Sequence, residues 1–222
     1  MAIPVSTTVL RTVPLFAGFP DEQLRLLVSA VNRRNVPRGT IVIVEGDPTD
    51  SLYIIISGRL KVMMSDAEGK EVILAMLGPG EFFGEMGLID DSPRSATVMA
   101  VEPRELITLA KKDFKKFLAE HFDLAMTVMR GLVRRLREAD RKIGSLALLD
   151  VYGRVARLLI DMSESVNGQK VVTKRLPKQD IAKMIGASRE MVSRVMKDLQ
   201  LGGFIEVQGA RIVLREKILL PE

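Results

Sequence analysis

Two short segments hold most of the chemistry this 222-residue chain can offer. The first runs Phe83-Gly84-Glu85-Met86-Gly87-Leu88-Ile89-Asp90-Asp91-Ser92-Pro93-Arg94-Ser95-Ala96-Thr97. Gly84 lets the backbone approach a bound group closely. Residues 85–88 can make one helical turn whose N–H groups face an anion. Arg94 can neutralise a phosphate, Ser95 adds a hydroxyl donor, and Glu85 can accept from a ribose hydroxyl. The same residues also fit a plain turn closed by an ion pair of Arg94 with Asp90 or Asp91.

The second segment runs from Pro177 to Leu199. Pro177 suits the first turn of a helix, where its missing N–H costs nothing. Ile181, Ala182 and Ile185 form an inner face, Gly186 supplies a tight turn, and Ser188 can cap the helix that follows. Val192, Val195, Met196 and Leu199 then face a core. This is a helix-turn-helix pattern, whose second helix enters a DNA major groove. Arg189, Glu190 and Ser193 lie on its first turn and a half, with Arg194 one turn beyond Glu190. Arginine donates twice to guanine, and a carboxylate accepts from the cytosine amino group, so Arg189, Glu190 and Arg194 can read G·C pairs. Arg189, Glu190 and Arg194 also have the spacing of a surface salt-bridge set. Lys178, Gln179 and Lys197 are placed for phosphate contacts, which position the protein without specifying sequence.

These segments need elements to hold them. Residues 17–110 carry short β-branched runs at 40–45, 51–57, 60–64, 72–77, 96–100 and 105–109, separated by turn signals such as Gly46-Asp47-Pro48 and Gly78-Pro79-Gly80. That spacing predicts a sandwich or jelly-roll barrel. A short helix opens ahead of it at Pro20-Asp21-Glu22. Residues 112–147 change period: Leu118, Phe122, Ala125, Met129, Leu132, Leu136, Ala139, Ile143 and Leu146 are spaced by alternating steps of four and three. An unbroken helix with this repeat predicts the seam of a parallel homodimer, with Val128 and Val133 flanking it. A single amphipathic helix on its own domain would show a wider, drifting stripe. Beyond it, Asp150 can cap a helix running to about Ser163, Asn167-Gly168 is a hairpin turn, and a last hairpin pairs 204–207 with 211–214.

Composition narrows the function. There is no cysteine and one histidine, His121, which removes thiolate metal sites, thiol catalysis and multi-histidine metal centres. No paired-carboxylate motif of catalytic spacing occurs, so an enzyme is not expected, nor is a metal. No apolar run approaches the ~20 residues of a membrane span, and no secretory signal stands at the start, so a cytoplasmic protein is expected. Residues 1–110 hold 10 basic and 14 acidic side chains, whereas residues 111–222 hold 23 and 14. The basic half is suited to a polyanion.

Taken in order, these motifs resemble the cyclic AMP receptor protein (CRP/FNR) family, from about Pro14 to Leu214. The resemblance rests on Gly46-Asp47-Pro48, Ser57-Gly58, Gly84-Glu85-Met86, Arg94-Ser95-Ala96, Leu149-Asp150-Val151 with Gly153-Arg154, and Ile185-Gly186-Ala187-Ser188-Arg189-Glu190 with Arg194. It implies an α+β chain in three parts. These are a jelly-roll effector domain with a short N-terminal helix (1–111), a dimerisation helix (112–148) and a winged helix-turn-helix domain (149–222). It implies a homodimer gated by a cyclic nucleotide, bound to a palindromic TGTGA-like operator and touching RNA polymerase. Gly84, Glu85, Arg94 and Ser95 fall on the nucleotide cassette, with Met86 and Ala96 in the same matched tripeptides. Arg189, Glu190 and Arg194 fall on the base-reading triplet, Gln179 on a phosphate contact, and Lys178, Ser188, Ser193 and Lys197 around them. Where the cyclic AMP receptor has a Thr-Ser pair toward the adenine, this chain has Ala139 and Asp140. An ionised Asp140 only accepts. It suits the donor pair of guanine better than adenine, which leaves cyclic AMP, cyclic GMP and cyclic di-GMP in play. Asp140 also fits an exposed pair with Arg137 or Arg141.

Overall fold

The structure, a computed structural model, describes residues 5–174, 176–215 and 218. The outermost parts of the expected first and last domains, residues 1–4 and 219–222, lie outside them. The chain divides into two compact units, Met1–Arg135 and Leu136–Glu222.

In the first unit, helix α1 (Thr7–Arg11), a 3-10 turn (Pro14–Phe16) and helix α2 (Asp21–Ala30) precede eight strands. The strands are β1 (Val31–Val36), β2 (Ile41–Ile43), β3 (Ser51–Ser57), β4 (Leu60–Ser65), β5 (Glu71–Leu77), β6 (Phe82–Phe83), β7 (Thr97–Ala100) and β8 (Arg104–Ala110). Helix α3 (Met86–Ile89) lies between β6 and β7. Two four-stranded antiparallel sheets result, in the orders β1-β8-β3-β6 and β2-β7-β4-β5. Strand alternation sorts their side chains. Tyr53, Ile55, Phe83 and Leu106 of the first sheet pack with Ile43, Leu60, Leu77 and Val98 of the second. Leu52, Ile54, Phe82 and Ile107, on the opposite face of the first sheet, pack with Leu24, Leu27, Phe114, Phe117, Leu124 and Val128 from helices.

The expectation of one unbroken helix over 112–147 needs correcting. Helix α4 (Lys111–Glu120) ends at His121, whose backbone is extended (φ −131°, ψ 96°), and helix α5 (Phe122–Leu148) begins there. The His121 ring lies 5.0 Å from the Phe19 ring and 5.8 Å from that of Phe117. This aromatic packing holds the break, so Leu118 sits on α4 and the repeat on α5 starts at Phe122. Along α5, Leu124, Val128 and Gly131 are buried while Met129, Val133, Leu136, Ile143 and Leu146 are exposed. Apolar side chains are thus left exposed along α5.

The second unit continues with α6 (Val151–Asp161), β9 (Glu164–Val166), β10 (Gln169–Val172), α7 (Lys178–Ile185), α8 (Arg189–Leu201), β11 (Ile205–Gln208) and β12 (Arg211–Leu214). The four strands form an antiparallel sheet ordered β11-β12-β10-β9. Asp150 caps α6 by accepting from the Gly153 amide at 2.8 Å. Asn167 (φ 50°) and Gly168 (φ 77°) make the β9–β10 turn, both in the left-handed region that such a two-residue turn requires. Val155, Leu159, Ile181, Ile185, Val192, Leu199, Ile205 and Ile212 share one core. Among the described residues, no helix is long and apolar enough to cross a membrane.

Candidate functional site

The effector segment is built around two buried charges, Arg94 at 6% exposure and Glu85 at 1%. Burying a charge is costly unless it is paired and hydrogen-bonded, and Arg94 is both. It donates from Nη1 to the Gly84 carbonyl (3.0 Å) and from Nη2 to the Ser51 carbonyl (2.9 Å) and Asp50 Oδ1 (3.0 Å). Its partner is therefore Asp50, neither Asp90 nor Asp91. A guanidinium has five N–H donors, so two of them have no partner among the described residues. The Tyr53 ring, stacked on Phe83 at 5.0 Å, lies 5.7 Å from the guanidinium carbon. Gly84 must be glycine: its φ is +83°, and a Cβ there would stand 2.5 Å from Arg94 Nη1. Gly87 is equally confined, since its Cβ would fall 2.2 Å from the Ser92 carbonyl oxygen.

Glu85 stands at the start of α3, with the Leu88 and Ile89 amides donating to its carbonyl. Its Oε1 receives Arg135 of α5, a residue the sequence reading missed. Arg135 also donates to the Phe82 carbonyl and lies 5.2 Å from the centre of the Phe82 ring. The other oxygen, Glu85 Oε2, is buried with no hydrogen-bond partner among the described residues. An unmet acceptor of this kind is expensive, and it matches a ligand hydroxyl. Ser95 Oγ lies 3.6 Å from Met86 Sδ; Met86 is half exposed and Ala96 is buried. The structure thus brings Gly84, Glu85, Met86, Arg94, Ser95 and Ala96 into one cassette. Ala139 and Asp140 are exposed on α5, and Asp140 forms no ion pair among the described residues, so the expected alternative pairing with Arg137 or Arg141 is absent.

In the second unit, α7 and α8 meet at Gly186, which ends α7 in the left-handed region (φ 64°). Pro177 precedes the first helical residue instead of occupying the first turn. Ser188 Oγ caps α8 by accepting from the Met191 amide at 3.1 Å. Arg154 of α6 braces the turn, donating from Nη1 to the Ile185 carbonyl at 3.0 Å. Ile181, Ala182, Ile185, Val192, Val195, Met196 and Leu199 are buried, as the pattern predicts. Lys178, Gln179, Ser188, Arg189, Glu190, Arg194 and Lys197 are exposed, and Ser193 is half-buried. No ion pair among the described residues joins Arg189, Glu190 and Arg194, so the salt-bridge alternative is not formed. A groove of about 530 Å³ runs past Lys178, Ser193, Lys197 and Gln200 to Gly209 and Ala210, at the tip of the β11–β12 hairpin. Helices α7 and α8 and the β11–β12 hairpin therefore line one open groove.

Known proteins carry both arrangements in the same chain order. The cyclic nucleotide-binding domain family matches residues 33–121, and the Crp-like helix-turn-helix domain family matches residues 153–220. The chain is 35% identical over 209 residues to the cyclic AMP receptor protein of Thermus thermophilus, covering 94% of this chain and 95% of that one. It is 32% identical over 203 residues to the cAMP-activated global transcriptional regulator Vfr of Pseudomonas aeruginosa, covering 87% and 94%. Among solved structures, the c-di-GMP responsive global regulator CLP of Xanthomonas campestris superposes with a TM-score of 0.73 at 30% identity, over 88% of this chain and 99% of that one. Likeness at this level, over nearly the whole length of each relative, assigns the chain to the cyclic AMP receptor protein (CRP/FNR) family of cyclic-nucleotide-binding, helix-turn-helix transcription regulators.

Proposed function

We propose that this protein is an effector-gated regulator. It binds a cyclic nucleotide at the Glu85–Arg94 cassette and a palindromic TGTGA-like operator as a homodimer. The observation that carries the effector half is the unpartnered, buried Glu85 Oε2 in the same cassette as an Arg94 with two donors to spare. A ribose hydroxyl satisfies the first and a cyclic phosphate the second, with the Ser95 hydroxyl as a third contact. In the DNA half, Arg189, Glu190 and Arg194 read bases, with Ser188 and Ser193 at their flank. Lys178, Gln179 and Lys197 hold phosphates. The open stripe on α5 pairs two copies within a three-part organisation of 1–111, 112–148 and 149–222. RNA polymerase is the expected further partner. Gating requires the nucleotide to prefer the DNA-competent state, since equal binding to both shifts nothing.

Cyclic AMP is the leading effector, in line with the relatives named for it. By resemblance, Ala139 and Asp140 stand where the cyclic AMP receptor itself meets the base, and Asp140 favours the N1–H and N2–H donors of guanine. That feature keeps cyclic GMP and cyclic di-GMP as tested alternatives. Calorimetric titration of the dimer with all three decides. One ligand binding to the wild type and lost in Arg94→Ala supports the assignment, and a guanine preference lost in Asp140→Ala assigns the base contact. Absence of binding by all three overturns it in favour of a constitutive or differently gated DNA-binding regulator, the reading that the Ala139-Asp140 pair also allows.

A further inference from the structure

Arg94 is held from two loops, and both loops are tied to the first turn of α4 through Lys111. On one side, the Lys111 amide donates to the Asp50 carbonyl at 2.7 Å, and Asp50 Oδ1 is the carboxylate on Arg94. On the other, Lys111 Nζ lies 2.7 Å from Oδ1 of Asp91, three residues ahead of Arg94. Lys115, one turn further along α4, donates to both Asp91 oxygens at 2.8 and 3.0 Å. Asp91 is presented from the left-handed region (φ 59°), which among non-glycine residues Asp and Asn tolerate best. Cations in the first turn of a helix oppose its dipole. A carboxylate set against Lys111 and Lys115 supplies the negative charge that this helix end favours. Asp90 is occupied elsewhere, accepting from the Ser92 amide at 3.0 Å.

We propose that Asp91, with Lys111 and Lys115, is a latch that makes the effector loop 84–95 and helix α4 move as one body. Seating an anion on Arg94 then displaces or fixes the first turn of α4, which leads through His121 into α5. The latch also keeps the loop ordered before the ligand arrives, which lowers the cost of binding. Asp91 is a positioning residue here, since it touches neither Arg94 nor the ligand. The inference rests on the reading of Arg94 as the phosphate arginine.

The test uses Asp91→Asn in the full-length protein, because Asn keeps the shape and tolerates the same backbone. The comparison variants are Lys111→Met with Lys115→Met, and the triple substitution. Three readouts are taken: hydrogen exchange of amides 86–95 without ligand, calorimetric affinity for the cyclic nucleotide, and the gain in operator affinity that the nucleotide produces. Asp91→Asn is expected to speed exchange in 86–95, to weaken nucleotide binding about 2- to 5-fold, and to shrink the gain. The nucleotide-free operator affinity stays as in the wild type. The triple variant shows no further loss, because all three side chains serve one interaction. Unchanged exchange, or losses that add across the variants, overturns the latch. If the wild type binds no cyclic nucleotide, the effector reading fails, and the exchange measurement alone still decides the latch.

Discussion

Glu85 and Arg135 show what a single buried pair asks of its neighbours. Removing one member leaves the other charge without compensation, so Arg135→Met is expected to cost about 1.5–3 kcal/mol of stability. Adding Glu85→Gln should return part of that loss, and urea denaturation of the two single variants and the double variant measures it. Arg104 is the opposite case. It is only 4% exposed, Nε, Nη1 and Nη2 are buried without a hydrogen-bond partner among the described residues, and burial pushes its pKa below the usual guanidinium range. An apolar side chain of similar length removes that penalty, so Arg104→Met should stabilise the protein by about 1–3 kcal/mol, read by the same denaturation. Asp91 gives a pH signature. The hydrogen bonds from Lys111 and Lys115, then their charges, hold its carboxyl at about 2 against an ordinary 3.8. A depressed acid contributes above its ordinary value and loses the contribution as pH falls toward 2. The latch is therefore constant from pH 5 to 8, and a carboxyl-carbon NMR titration should place the Asp91 midpoint near 2. In Lys111→Met with Lys115→Met the midpoint should return toward 3.8.

Among the elements, α5 meets β6 closely beside the cassette. A Cβ on Gly131 would come within 2.9 Å of Phe82 Cζ, and Phe82 supplies the carbonyl that Arg135 grips. Gly131→Ala should gain about 1 kcal/mol in helix propensity but lose about 1–3 kcal/mol to overpacking. The expected outcome is a lower melting temperature with weaker nucleotide binding; a higher melting temperature would show that the ring moves aside freely. This geometry also explains what the sequence did and did not reveal. Strands β3, β4, β5 and β8 were legible because β-branched runs alternate between clear turn residues. Strand β1 was not: Val-Asn-Arg-Arg-Asn-Val has no such alternation, and it becomes a strand by pairing along its length with β8. The break at His121 arises from packing against Phe19, about a hundred residues away in the chain, so a local period could not show it. Arg135 and Asp50 escaped for the same reason, being 50 and 44 residues from Glu85 and Arg94. Apart from the place of Pro177, the helix-turn-helix was legible because cap, turn and both inner faces lie within 23 consecutive residues.

At the scale of the whole molecule, the charge is divided as the proposed roles require, acidic side chains prevailing before residue 111 and basic ones after it. A basic DNA-binding half gives affinity that falls steeply with salt, so gating has to be measured at one fixed ionic strength. Two-fold pairing through α5 would present two α8 helices to successive major grooves roughly 34 Å apart. In the proposed gating, the effector favours that arrangement, and its effect is limited by its differential affinity for the two states. The most direct test is fluorescence anisotropy of a palindromic TGTGA-containing duplex, titrated with the wild type and with Arg94→Ala, each with and without saturating cyclic nucleotide. The account predicts operator binding at least about tenfold tighter with nucleotide in the wild type, a shift of about 1.4 kcal/mol, and no gain in Arg94→Ala. Equal affinity with and without nucleotide in the wild type would contradict gating, even with DNA binding intact.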